Sequence, residues 1–299
     1  MNLHRNIELF DSIINELSIR LNIAPSIIEK DYYVTLFLTE LNKKVSGLIF
    51  KGGTSLSKCF KLINRFSEDI DLTLKIDSKS YGKRRKLKQS IIETCQELGF
   101  EIINIDKIRS RRDYNSYEIK YPIKHKGDGI KQFLLVETVF IVKSYPTIEK
   151  NIPTIIYENI KNIAINLVED YELYPTKINV QSLERTFVDK IFAICDYHIS
   201  KKITGHSRHI YDLYCIFDRI NFDKRIIELI KNVREDRKKN KTCYSAGDNY
   251  DINELLKEII TNKTYYNDYK TITEKIIYDN ISYDKAISVI NKIIELNIF

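Results

Sequence analysis

The sequence contains no tryptophan, one methionine, five prolines and nine glycines in 299 residues. So little glycine and proline excludes collagen-like repeats and Pro-rich linkers. The five cysteines (Cys59, Cys95, Cys195, Cys215 and Cys243) are odd in number and scattered, with no Cys-x-x-Cys pair. That excludes both a disulfide framework and a cysteine-rich zinc site, and a reducing cytoplasm is the expected location. No apolar run approaches the roughly 18–20 residues of a membrane span, so no membrane partner is expected. The N-terminus has neither an apolar core nor a small-residue cleavage site, unlike a signal peptide. What is present is 43% hydrophobic and 30% charged residues, the composition of a folded globular chain. Lys+Arg number 48 against 41 Asp+Glu, for a net charge of +7. This permits a polyanionic partner without requiring one.

The length allows two domains. Ile7, Phe10, Ile13, Ile14, Leu17 and Leu21 recur at helical spacing, and Pro25-Ser26 opens a second helix. Leu48-Ile49-Phe50 reads as a strand ending at Lys51-Gly52-Gly53-Thr54-Ser55, with a helix after it. Residues 68–75 alternate and read as another strand, followed by a basic helix over 81–98. Strand-like runs recur near 101–108, 114–123 and 133–142, with Gly127-Asp128-Gly129 as a hairpin turn signal between the last two. From about residue 159 the pattern is helical, over 183–200, 207–220, 222–234, 252–261 and 282–296. Residues 234–249 read as an exposed, mobile connection. The expected fold is α+β, with a mixed sheet and flanking helices in a domain of residues 1–158 and a helical domain of residues 159–299.

Three features of the first half belong together. Gly52-Gly53-Thr54-Ser55 lies between a strand and a helix. Glycines let the backbone approach a ligand, and a helix N-terminus offers N–H groups to phosphate; most such turns, however, are only turns. Asp69 and Asp71 lie two apart on a strand and so face one side. They either hold a cation, with oxygen-only ligation pointing to Mg²⁺, or form a solvated acidic edge. Glu137, inside an apolar strand, is costly unless it is paired or ligates metal. It is either a third metal ligand or a rim residue. Three such carboxylates would make a two-metal cluster.

These residues resemble a known family. The run from Gly52-Gly53-Thr54-Ser55 to Arg65-Phe66-Ser67-Glu68-Asp69-Ile70-Asp71-Leu72 is similar to the signature of the DNA polymerase β nucleotidyltransferase superfamily. More narrowly, it resembles the AbiEii/AbiGii toxin family of bacterial abortive-infection and toxin–antitoxin systems. Phe50 to Lys58 and Glu29-Lys30-Asp31-Tyr32-Tyr33 are close to that family's wording. The gap from the glycines to Asp69 is slightly long for the superfamily and normal for the toxin branch. Glu184-Arg185-Thr186-Phe187-Val188-Asp189-Lys190 resembles the second motif, with Asp189 where Glu is usual. Ser207-Arg208-His209-Ile210-Tyr211-Asp212-Leu213 resembles the final motif. The similarity covers most of residues 1–215.

The resemblance implies a nucleotidyltransferase that moves NMP from NTP to an acceptor, with tRNA modified at its 3′ end to block translation. A separate antitoxin protein is implied as well. Asp69, Asp71, Lys190 and Asp212 would be catalytic. Gly52, Gly53, Thr54, Ser55, Lys58 and Arg208 would bind nucleotide, and Asp69, Asp71 and Glu137 would hold Mg²⁺ or Mn²⁺. The helical half would close over the nucleotide. For Lys190 the alternatives are a phosphate-neutralising ammonium or an ordinary surface lysine. For Asp212 they are contact with Lys190 or nucleotide, or an i,i+4 ion pair with Arg208. His206 and His209 are not read as metal ligands, since no third His or Cys is near in sequence. Lys83-Arg84-Arg85-Lys86-Leu87-Lys88, Arg109-Ser110-Arg111-Arg112 and residues 234–241 are candidate polyanion-binding segments or solvated charged faces. Two rival functions remain: NMP transfer to a protein side chain, and a non-catalytic nucleotide-binding module.

Overall fold

Apolar residues three and four apart bury one face of the first long helix, Ile7–Leu21, through Phe10, Ile13, Ile14 and Leu17. Asn6 caps it by accepting from the Leu9 N–H, and Asn22 ends it in the left-handed conformation. Pro25 opens the second helix, Pro25–Lys44. Its Tyr32 and Tyr33 pack with Phe10, and Tyr33 also with Phe100 and Tyr121. In this computed structural model residues 2–75, 80–127 and 129–299 are described.

The chain divides into two compact units. The first comprises Met1–Cys59, Glu68–Val139 and Glu149–Val180; the second comprises Phe60–Ser67, Phe140–Ile148 and Gln181–Phe299. Residue 159, where the sequence texture changes, lies in the helix Ile155–Ile160 of the first unit.

The first unit is built on a sheet that has seven strands among the described residues: β1 (Leu48–Lys51), β2 (Ile70–Leu74), β3 (Glu101–Ile102), β4 (Tyr114–Lys120), β5 (Leu134–Val139), β6 (Thr147–Ile152) and β7 (Thr176–Gln181). Their order is β3-β4-β5-β2-β1-β7-β6. The sheet is mixed: β2 pairs antiparallel with β1 and parallel with β5, β4 is antiparallel to both β3 and β5, and β1 is parallel to β7. The fold is therefore α+β, a mixed sheet with flanking helices. On β2, Ile70, Leu72 and Leu74 are buried; on β5, Leu134, Val136 and Thr138 are. The period of two leaves Asp71 and Glu137 on the opposite face. The strand expected over 101–108 is short, because a 3-10 turn at Ile105–Lys107 interrupts it. The turn signal at Gly127-Asp128-Gly129 includes Asp128, which lies outside the described residues.

The second unit carries the helices Leu183–Ser200, Arg208–Ile216, Lys224–Lys238, Ile252–Thr261 and Tyr283–Leu296. Residues 234–249 differ from the mobile connection expected there. The helix runs on to Lys238, and Cys243, Ser245 and Ala246 are buried. Arg234 donates to the carbonyls of Ala246, Gly247 and Tyr250. The Asp196 carboxylate takes Arg237, the Ser245 N–H and the Ser245 hydroxyl. Buried polar groups bonded across a segment in this way pin it. Among the described residues no helix is long and apolar enough to cross a membrane.

Candidate active site

In the first unit, strand register assembles the carboxylates. Lys51 of β1 stands opposite Asp71 of β2, and Asp71 stands opposite Glu137 of β5. The register thus brings these two carboxylates side by side. Burial pushes the Asp71 carboxyl up to about 7; Lys51 pulls it down, and Glu137 and Asp69 raise it further. Tyr114 of β4 donates its hydroxyl to Glu137 Oε1. Burial, and then Glu137, raises the Tyr114 phenol, which keeps it a donor.

Asp69 is engaged by a cation: its Oδ1 accepts from Lys131 Nζ at 2.6 Å. Asp71 and Glu137 stand opposite one another in register, while Asp69 is paired with an ammonium. Among the described residues no group of three or more His, Cys, Asp or Glu is placed to hold a metal ion.

Gly52, directly after β1, closes the site. Gly52 has φ +78°, and a Cβ there would lie 1.9 Å from Asp71 Oδ2. Its backbone thus rests against the carboxylate, which explains why glycine stands at this position. Gly52→Ala should strain the left-handed backbone by roughly 1–2 kcal/mol and displace Asp71. We expect a lower melting temperature and a loss of transfer of about a hundredfold, read by thermal denaturation and a labelled-NTP assay. Transfer at the wild-type rate would refute the close-approach role.

The helix Gly52–Ser55 follows at once and continues through the wider turn Leu56–Phe60. Thr54 and Ser55 are buried, and the Ser55 hydroxyl donates to the Gly52 carbonyl at 2.8 Å. The Lys58 ammonium is paired with Asp31.

Three consecutive charged residues of the helix Pro25–Lys44 hold these parts in place. Glu29 accepts from the Lys124 and His125 N–H groups, each at 2.9 Å. Lys30 pairs with Glu68, beside Asp69, and donates to the Lys131 and Phe133 carbonyls. Asp31 takes Lys58 and the Ile155 N–H. Glu29 and Lys30 are buried, and such charges are tolerated only when paired.

In the second unit the Asp212 carboxylate is 0% exposed. Arg65 grips it with two bonds, Nε to Oδ1 at 2.7 Å and Nη2 to Oδ2 at 2.9 Å. Lys190 Nζ reaches Oδ2 at 2.5 Å. Burial alone would push this carboxyl up, but Arg65 and Lys190 together hold it well below the usual carboxylate range. Burial lowers Lys190, and Asp212 opposes that shift. Lys190 is therefore not a surface lysine, and Asp212 does not pair with Arg208. Among the described residues Arg208 makes no ion pair. Burial, then Lys190, keeps His209 well below its ordinary pKa, with Nδ1 at 3.4 Å from Lys190 Nζ. The rings of His206 and His209 stack parallel to Tyr197.

The model of the nucleotidyl transferase AbiEii toxin family, type IV toxin–antitoxin system, matches residues 37–289. The chain belongs to the AbiEii toxin family. It is a nucleotidyltransferase toxin of a type IV toxin–antitoxin system, so an NTP is implied as substrate and an antitoxin as partner. Among solved structures, this AbiEii-family chain is similar to MenT4, a nucleotidyltransferase toxin from Mycobacterium tuberculosis H37Rv. The TM-score is 0.53 at 15% identity, covering 96% of this chain and 88% of the other, which bears on the fold. JHP933 from Helicobacter pylori also matches, with a TM-score of 0.37 at 15% identity, covering 83% and 96%. No curated protein matches.

Reading the sequence alone missed Arg65, Lys131, Tyr114 and any role for Glu29-Lys30-Asp31 in the AbiEii site. Arg65 and the Glu29–Asp31 triplet lie inside the runs that carry the family resemblance, and that adjacency was the available signal.

Proposed function

We propose that this toxin transfers NMP from an NTP to the 3′ end of tRNA, releasing pyrophosphate and blocking translation. The observation that carries the reading is Asp71 standing opposite Glu137 in strand register and directly against the Gly52 backbone. A pair of apposed carboxylates needs positive charge between them, and an oxygen-only donor set suits Mg²⁺ or Mn²⁺. Asp71 and Glu137 would hold that ion, with Asp69 joining on release from Lys131. Once bound, the ion would polarise the phosphoryl group and lower the pKa of the attacking hydroxyl.

The protein's own groups do the rest. Backbone N–H groups after Gly52 and Gly53 would cradle phosphates at the helix start. Thr54, Ser55 and Lys58 would keep that turn rigid, since Ser55 and Lys58 are bonded within the unit. Arg65, Lys190 and Asp212 sum to one positive charge, and Arg208 adds another. These are the groups we assign to neutralising the triphosphate. The reaction belongs in the cytoplasm, where NTP and tRNA meet, and the antitoxin is a separate protein that represses transcription or neutralises toxicity.

The test is incubation with each α-labelled NTP, Mg²⁺, total RNA and total protein. Label should enter RNA of tRNA size and disappear with chelator. Label confined to protein would overturn the acceptor, and no label in either would overturn the catalytic reading.

A further inference from the structure

The first unit carries a cationic surface that the nucleotidyl-transfer chemistry leaves unused. The helix Tyr81–Leu98 has no acidic residue in its first turn, and Lys83, Arg85 and Lys86 are exposed there. A helix N-terminus favours anions by about 0.3–1 kcal/mol per charge, so cations at this end oppose the helix dipole. Lys107, Arg109, Arg111 and Arg112 are exposed on the turn before β4. Two contacts join the segments. The buried Arg84 crosses to Asp113 at 2.7 Å, and Lys88 donates to the Ile108 carbonyl at 3.1 Å. The two basic runs are thus one surface. None of its seven exposed cations is in an ion pair among the described residues. Of the acids nearest in sequence, Asp113 is taken by Arg84 and Asp106 makes no ion pair among the described residues.

This surface leads into the carboxylate site along the chain itself. Arg112 is followed by Asp113 and then Tyr114, whose hydroxyl bonds Glu137 beside Asp71. Tyr81 and Tyr114 are 55% and 45% exposed, so each basic run has an aromatic ring beside it in sequence, with the Arg84 guanidinium over the Tyr81 ring. Unpaired cations flanked by exposed aromatic rings suit a nucleic-acid backbone with unstacked bases. A protein substrate or a membrane gives no reason for the second feature.

We propose that the surface formed by Lys83, Arg85, Lys86, Arg109, Arg111 and Arg112 docks the phosphate backbone of the acceptor RNA and delivers its 3′ end past Tyr114 to Asp71 and Glu137. This rests on the RNA-acceptor reading above and adds where the RNA is gripped.

The test uses the full chain and an in-vitro transcribed tRNA, with binding followed by fluorescence anisotropy from low to high salt and without NTP. Two triple variants are made, K83E/R85E/K86E and R109E/R111E/R112E. Their side chains are exposed, and thermal melting verifies the fold. Each should weaken binding on the order of tenfold or more and reduce the salt slope by about 2–3, since each phosphate contact contributes roughly 0.7–0.9. Each should also raise the tRNA concentration for half-maximal NMP transfer. A reference variant reverses Lys257, Lys270 and Lys285, exposed on the second unit, and should bind as wild type does. Wild-type affinity and slope in both triple variants would overturn the proposal, as would an equal loss in the reference variant. Failure of the transferase reading is scored separately, by wild-type protein leaving the tRNA unlabelled.

Discussion

Asp71→Asn should reduce NMP transfer by about a thousandfold or more and, in metal-free buffer at neutral pH, leave the protein more stable than wild type. The first effect follows from removing a ligand whose ion supplies several kcal/mol of transition-state stabilisation, at about 1.36 kcal/mol per factor of ten. The second follows from linkage. Burial and the neighbouring acids push the Asp71 carboxyl up to about 7, from 3.8. Between these values the folded state binds more protons than the unfolded state, so stability falls as pH rises. The contribution is fully present below the unfolded value and is lost as pH climbs through the folded one. Melting curves in chelator from pH 4 to 8 should therefore show wild type losing ground to Asp71→Asn across that window and levelling off above it. Adding Mg²⁺ at pH 8 should reverse the order. Parallel curves at every pH would show that the carboxyl is not held protonated by its surroundings.

Asp212→Ala should destabilise the protein by about 3–5 kcal/mol, the cost of leaving buried cations uncompensated. Arg65 and Lys190 both end on that one carboxylate. Lys190→Met should behave differently. Asp212 keeps its two bonds from Arg65, a desolvated ammonium is removed, and stability should change by less than about 1.5 kcal/mol. Transfer should nonetheless fall by about 10²–10³, as expected for a lost charge-stabilising group. Denaturant unfolding beside the labelled-NTP assay separates the two. If both variants lost stability equally, Lys190 would be only a structural counter-ion. The sign for Asp212 is the ordinary one for an acid held low: its contribution is present above about pH 4 and lost as pH falls.

The elements whose signal is local were legible in the sequence. The helix Leu183–Ser200 opens at Ser182, whose side chain caps it by accepting from the Arg185 N–H, and a capping serine before an apolar period can be read directly. Asp71 and Glu137 were legible because a charged residue in an alternating apolar strand stands out. Two strands were not. β6 has only Ile148 and Ile152 as apolar residues, and Ile148 is 39% exposed. β7 shows the period of two in the buried Ile178 and Val180, but it sits among helical segments that dominate any longer window. Nor could the ionic partners be read. Arg65 and Asp212 lie 147 residues apart, and Lys131 and Asp69 lie 62 apart. Local spacing offered Arg208 to Asp212, whereas the fold supplies Arg65 and Lys190. Helical periodicity says which face a residue occupies, not which distant chain arrives there.

The Glu29-Lys30-Asp31 triplet bears on how short a working toxin can be. The match to the family model begins at residue 37, after all three, although the triplet's own run resembles the family's wording. A chain trimmed to 37–289 would keep the glycine turn and every carboxylate of the site. It would leave Glu68 without Lys30, Lys58 without Asp31, and two backbone N–H groups at Lys124 and His125 without an acceptor. The carboxylates and the residues that brace them thus lie in different stretches of sequence, so a fragment that keeps these contacts begins no later than residue 29.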